Sequence, residues 1–200
     1  MIGTGAQGMG LSIGFNKLSE TQVVAACDID KVKYKRFFLE FEKSSNSGKN
    51  NKKNQLFFTD NYFDLLNRND VDGVVVSTPD HWHAAMSIDA MRLGKHVYCE
   101  KPLSHTIKEG RAMVNASKRY NRILQTGSMQ RSSSNFLIGC QLVRNGYLGK
   151  ISQALVNVGN PASVCKLPFE ETPDSIDWDK WLGSAQLRPY NKALISTSFF

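Results

Sequence analysis

The sequence predicts an α/β protein built on a doubly wound parallel sheet, and three observations carry that prediction. Helix-like and strand-like segments alternate along the first three quarters of the chain. A glycine turn, Gly3-Thr4-Gly5-Ala6-Gln7-Gly8, stands between a short apolar start and a helix-like run. Gly73-Val74-Val75-Val76-Ser77 is apolar on both faces, as strands buried within parallel sheets are.

Each element follows from its own pattern. Met1-Ile2 is all that precedes the glycine turn, so the first strand is only two residues long. Met9 to Leu18 reads as a helix with Met9, Ile13 and Leu18 on an inner stripe. Gln22 to Cys27 is a short apolar strand, and Lys31 to Lys43 a helix burying Tyr34, Phe37, Phe38 and Phe41. Lys43 to Lys53 is a polar loop, followed by a strand over Gln55 to Thr59 and a helix over Asn61 to Asn67. After the strand at 73–77 come a helix from His81 to Leu93, closed by Gly94, and a strand from His96 to Cys99. A helix over Thr106 to Tyr120, a strand over Arg122 to Thr126 and a helix over Ser132 to Arg144 complete the alternation. Lys150 to Val158 then changes period. Ile151, Ala154, Val156 and Val158 suggest a strand with one wet face, in a different sheet. Beyond Gly159 the chain is a Pro- and Trp-bearing loop, ending at Leu194 to Phe200 without a cap.

Composition narrows the function classes. Hydrophobic content of 41% and charged content of 22% are those of an ordinary globular chain. No apolar run approaches the roughly 20 residues that span a membrane. The net charge of +7 is concentrated in the loop at 43–53, which lacks the aromatics of a nucleic-acid surface. Cys27, Cys99, Cys140 and Cys165 are widely spaced and read as reduced thiols rather than a disulfide or zinc framework.

Gly3-x-Gly5-x-x-Gly8 has the form that cradles a dinucleotide pyrophosphate. Its first glycine makes the strand-to-helix turn, its second leaves room for phosphate, and its third lets the helix approach the sheet. Asp28 lies 20 residues after Gly8, where an acid meets the adenosine ribose. The competing reading makes Asp28 a helix cap, although Asp30, directly before Lys31, serves a cap better. An acid here favours NAD over NADP, while Lys31, Lys33 and Arg36 keep NADP as the minority reading. Two further stretches end strands where open α/β sheets bind ligands. Ser77-Thr78-Pro79-Asp80-His81-Trp82-His83 can line a cofactor path, or its histidines can be helix-start residues. The i, i+2 spacing of His81 and His83 excludes a shared helix face, so no metal site is expected. Cys99-Glu100-Lys101-Pro102 either aims Lys101 into the cleft or makes a surface ion pair with Glu100.

GTGAQG, a strand ending in ACDID, STPDHWH and CEKP together resemble the Gfo/Idh/MocA oxidoreductases over roughly residues 1–150. QTGSMQRS at 125–132 and DWDKWLGSA at 177–185 resemble a secreted or periplasmic-type branch of that superfamily, close to the NAD-dependent glycosidases. The resemblance implies a Rossmann-type dinucleotide-binding domain over 1–130, with its first strand truncated. Residues 131–200 would be the incomplete beginning of an α+β substrate and oligomerisation domain. It also implies residue roles. Gly3, Gly5, Gln7, Gly8 and Met9 would hold the pyrophosphate, and Asp28 the ribose. Ser77, Thr78, Pro79, His81, Trp82 and His83 would line the path from adenine to nicotinamide. Glu100 and Lys101 would face the nicotinamide, with Lys101 as the catalytic residue positioning the substrate hydroxyl, and Arg131 would lie near the sugar. Such proteins carry a full first strand and a later Asp and His that complete acid–base catalysis, yet the last histidine here is His105.

The function expected is hydride transfer from a sugar or polyol carbinol to NAD. An NAD-dependent glycosidase and a non-catalytic truncated remnant are the alternatives. The complete protein is expected to be a homo-oligomer, in the cytoplasm or periplasm. The short first strand and the unfinished end read as a fragment, in which loss of the central strand would expose its neighbours' apolar edges.

Overall fold

A computed structural model describes residues 1–46, 56–159 and 166–195. Most of the polar loop at 43–53, Gln55, Pro161, Cys165 and residues 196–200 lie outside the described residues. Two compact units form: Met1–Gly127 together with Phe169–Phe200, and Ser128–Pro168.

In the first unit, β1 (Ala25–Cys27) pairs in parallel with β2 (Phe57–Thr59), with Ala26 opposite Phe58. On the other side β3 (Gly73–Val76), β4 (His96–Cys99) and β5 (Leu124–Thr126) are also parallel, with Val75 opposite Tyr98 and Tyr98 opposite Gln125. Ile2 joins the two sets, bridging Cys27 on one side and Val76 on the other. The order across the sheet is therefore β2-β1-Ile2-β3-β4-β5. It reverses at Ile2, which makes the glycine turn the topological switch point where such sheets bind ligands.

The gap expected at the sheet centre is closed by Met1–Gly3. Ile2 N–H donates to the Val75 carbonyl at 2.8 Å, and Ser77 N–H to the Ile2 carbonyl at 2.8 Å. On the opposite edge Cys27 N–H donates to Met1 at 2.8 Å and Gly3 N–H to Cys27 at 2.9 Å. Ile2, Ala26, Val74 and Val76 are all buried. The predicted exposed edges are absent, because two residues with both backbone groups paired suffice between strands of three and four residues.

Helices cover the sheet. α1 (Ala6–Asn16) starts earlier than its apolar stripe suggests, directly from the Gly5 N-cap, and Leu18 falls beyond its end, exposed. α2 (Lys31–Asn46) buries Phe37 and Phe41, and Tyr34 stacks on Phe58 of β2 at 3.4 Å. A fully buried Phe contributes about 1.5–3 kcal/mol, so Phe37 anchors this layer. α3 (Tyr62–Leu66) buries Leu65 and Leu66, and its Asn61 cap accepts from Phe63 N–H. α4 (Asp80–Arg92) and α5 (Ile107–Tyr120) pack side by side through Ala90, Met91, Met113 and Ala116. Thr106 and Glu109 cap α5 reciprocally. Residues 169–195, beyond the boundary read at 130, pack with this unit. They carry the short helix α7 (Trp178–Leu182) and bury Ile176, Leu182 and Tyr190.

The second unit holds a 3-10 turn at Met129–Ser132 and α6 (Ser134–Arg144). The strand expected over 150–158 does not form: residues 151–159 have no ladder partner among the described residues, and Ile151, Leu155, Val156 and Val158 are exposed.

Candidate functional site

The glycine turn gives each of its glycines a different constraint. Gly3 has φ +88, and a Cβ there would fall 2.3 Å from the Ser77 carbonyl oxygen. A Cβ on Gly8 would fall 2.0 Å from the Gly3 carbonyl oxygen, so helix and turn touch backbone to backbone. Gly5 faces nothing within 4 Å. It is the N-cap of α1, with no side-chain cap and no acidic residue in the first turn. Open space in front of an uncapped helix start suits a phosphate group.

Asp28 follows β1 and grips the turn. Its Oδ2 accepts from Thr4 N–H and Thr4 Oγ1, both at 2.7 Å, and its Oδ1 from Asp30 N–H at 2.9 Å. A carboxylate has about four acceptor positions, so one remains for a ligand hydroxyl. Asp30 is the helix cap, accepting from Val32 N–H at 2.9 Å and Lys33 N–H at 3.2 Å. Lys33 pairs with Asp30 at 3.9 Å and Arg36 with Glu40 at 2.7 Å. Two of the three cations that could receive a 2′-phosphate are therefore paired with acids, one at the α2 cap and one within α2.

The loops after β3 and β4 are joined to the turn and to each other. Glu100 is buried. Its Oε1 accepts from Gln7 Nε2 at 2.9 Å and its Oε2 from Lys101 N–H at 3.2 Å. Gly127 presses on it: a Cβ there would fall 2.8 Å from Glu100 Oε1. Lys101 is exposed, and no ion pair joins it to Glu100 among the described residues, so the surface-pair reading fails. The Lys101–Pro102 peptide is cis. His83 is buried, with Nδ1 2.7 Å from the Pro102 carbonyl and Nε2 2.9 Å from the Thr78 carbonyl. Thr78 Oγ1 is buried without a hydrogen-bond partner, an orphaned group at the switch point that fits a bound polar ligand.

His81 and Trp82 turn elsewhere. His81 Nε2 lies 2.8 Å from the Trp181 carbonyl, and Trp82 Nε1 donates to the carbonyls of Lys180 and Trp181, each at 3.1 Å. A Cβ on Gly183 would enter the Trp82 ring at 2.2 Å. Lys31 N–H donates to Ser175 at 2.9 Å, and Lys180 Nζ reaches Asp60 at 3.4 Å. Segment 175–184 thus straps the loops after β1, β2 and β3.

Of the residues singled out from sequence, Gly3, Gly5, Gln7, Gly8, Asp28, Ser77, Thr78, Pro79, His83, Glu100 and Lys101 come together at one end of the sheet. Met9 points into the core beside Ala26 and Phe37, where its side chain serves packing. Arg131 belongs to the second unit, exposed in the 3-10 turn. Thr4, Gly127 and the strap were missed as site elements. Only the clustered tryptophans and Gly183 of the strap carried any signal. Burial pushes the Cys27 thiol up to about 12, aided by Asp28, and the Cys99 thiol up to about 11, so neither is a nucleophile. No group of three metal-ligating side chains occurs among the described residues.

Residues 1–128 match the model of the Gfo/Idh/MocA oxidoreductase family with its NAD-binding Rossmann fold. A glycosyl hydrolase family 109 protein of Solibacter usitatus is 35% identical over 156 residues, covering 76% of this chain and 34% of its own. An alpha-N-acetylgalactosaminidase of Shewanella oneidensis is 31% identical over 157 residues, 75% of this chain and 32% of that protein. The chain spans about one third of the length of these curated relatives. Among solved structures, a myo-inositol 2-dehydrogenase from Lactobacillus plantarum superposes with a TM-score of 0.61 at 30% identity, over 75% of this chain and 41% of that one. A 3-ketoreductase from Actinomadura kijaniata, solved with NADP, shares the fold at 24% identity and a TM-score of 0.60, over 72% of this chain and 41% of that one. The chain belongs to the Gfo/Idh/MocA oxidoreductases.

Proposed function

We propose that this chain is the cofactor-binding part of an NAD-dependent oxidoreductase acting on a sugar or polyol carbinol. The observation that carries the proposal is the convergence of the glycine turn, Asp28 and Lys101 at the sheet's switch point, held together through Gln7, Glu100 and His83. Gly5 and the start of α1 receive the pyrophosphate, and the free acceptor position of Asp28 receives a ribose hydroxyl. Engagement of Lys33 and Arg36 by acids favours NAD over NADP. When bound, nicotinamide accepts the hydride from the carbinol carbon. Lys101, exposed on a loop whose backbone is fixed, orients the substrate hydroxyl and shares the transfer of its proton. Arg131 is the candidate sugar contact, and the complete protein is a homo-oligomer.

The glycosidase reading draws on the names of the curated relatives, in which a nicotinamide would be used transiently. One experiment separates the two. The chain is incubated with NAD and either a panel of sugars and polyols or chromogenic glycosides. Net NADH formation from a free sugar, lost in Lys101→Ala, supports the dehydrogenase. NAD-dependent chromophore release without NADH accumulation supports the glycosidase and overturns the first reading.

A further inference from the structure

We infer that His83 is a positioning residue for Lys101 rather than a cofactor contact, acting through its Nδ1 hydrogen bond to the Pro102 carbonyl. The inference rests on the reading of Lys101 as the group that faces the nicotinamide. His83 is 1% exposed, so its ring presents no surface to a ligand. Both ring nitrogens face backbone carbonyls, of Pro102 at 2.7 Å and Thr78 at 2.9 Å. Carbonyls only accept, so a hydrogen bond on the Pro102 contact has Nδ1 as donor and Pro102 as acceptor, which ties the ring to the Lys101 loop.

Lys101 stands between this bond and a second one. Its own N–H donates to Glu100 Oε2, and Glu100 is in turn held by Gln7 Nε2 and crowded by Gly127. One side of the Lys101–Pro102 unit is thus tied to the glycine turn, and the other to the start of α4. The backbone under Lys101 has no sheet pairing, because β4 ends at Cys99. The two side-chain bonds take the place of the missing ladder and set where the lysine starts its reach. Small displacements of a reacting group carry large rate costs, which gives such a clamp a function beyond stability.

Two substitutions separate the two ring contacts. In His83→Asn the amide nitrogen replaces Nδ1 and keeps the Pro102 bond. In His83→Gln it replaces Nε2 and reaches only the Thr78 carbonyl. Amide hydrogen exchange at Lys101 and Leu103 is measured in the ligand-free chain, and affinities are measured for NAD and for ADP-ribose, which lacks the nicotinamide. His83→Gln is expected to speed exchange at both amides about tenfold and to weaken NAD about tenfold, with ADP-ribose within twofold of the parent. His83→Asn should stay near the parent in both measurements. Parent-like exchange in His83→Gln, or equal loss of NAD and ADP-ribose in both variants, would overturn the assignment, since a merely structural histidine acts alike on both ligands. Lys101→Ala tests the underlying reading separately. If it leaves the preference for NAD over ADP-ribose intact, Lys101 does not face the nicotinamide, and exchange alone decides the clamp.

Discussion

Ile2 is 1% exposed, whereas Leu155 and Val158, equally apolar, are 88% and 87% exposed. The first lies between two strands that pair with it on both sides; the others lie on a chain segment that nothing described pairs with. Apolar patterning states which face of a segment wants to be buried, and only a partner brings the burial about. The first unit therefore has a stability that substitutions can break, and the second unit offers little packing to lose.

The largest effect is expected at Gly8. Its Cβ has no space beside the Gly3 carbonyl, so Gly8→Val should cost about 3 kcal/mol or more, read as a fall in the urea midpoint at constant slope. A parent-like midpoint would mean that α1 is free to move off the sheet.

Cys27 gives a smaller, pH-dependent effect. Its folded value is raised from 9.0 to about 12 by burial first and Asp28 second. A raised acid stabilises the fold below its unfolded value and loses that stability as pH climbs toward its folded value. Between pH 8 and pH 10 the parent should lose on the order of 1 kcal/mol more than Cys27→Ala. Equal losses would place Cys27 in contact with water. The same burial predicts that an alkylating reagent labels exposed Cys140 quickly, and Cys27 and Cys99 only on unfolding.

Gly5 sharpens the comparison within the turn itself. Its position is open, so Gly5→Ala should change stability by less than about 0.5 kcal/mol while weakening NAD at least about tenfold. Calorimetric titration checks it, and undiminished affinity would move the pyrophosphate elsewhere. The smallest effect belongs to the second unit: Leu155→Ser should leave the unfolding midpoint within about 0.5 kcal/mol of the parent. A larger loss would show that this residue has a packing partner.

The same distinction explains what could be read from the chain. The glycine turn was legible because its constraints are local, acting between Gly3, Gly8 and the strand end at Ser77. Asp30 was legible as a cap for the same reason. Thr4 was not, since its two bonds to Asp28 depend on how the turn meets β1. His81 and Trp82 find partners about one hundred residues away in the strap, and no periodicity reports a contact at that distance. The position of His83 after β3 follows from the chain order. Which way its ring faces depends on the Pro102 carbonyl, which belongs to another loop. The 150–158 alternation was legible as a pattern, but a strand needs a neighbour to hydrogen-bond.

Thermal unfolding of the chain with added NAD, and separately with NADP, tests the central claim most directly. A ligand bound only by the folded state raises stability by RT ln(1 + [L]/Kd). The account predicts a clear rise in midpoint with NAD, a smaller one with NADP, and loss of that difference in Asp28→Ala. A cooperative transition that neither nucleotide moves would contradict it.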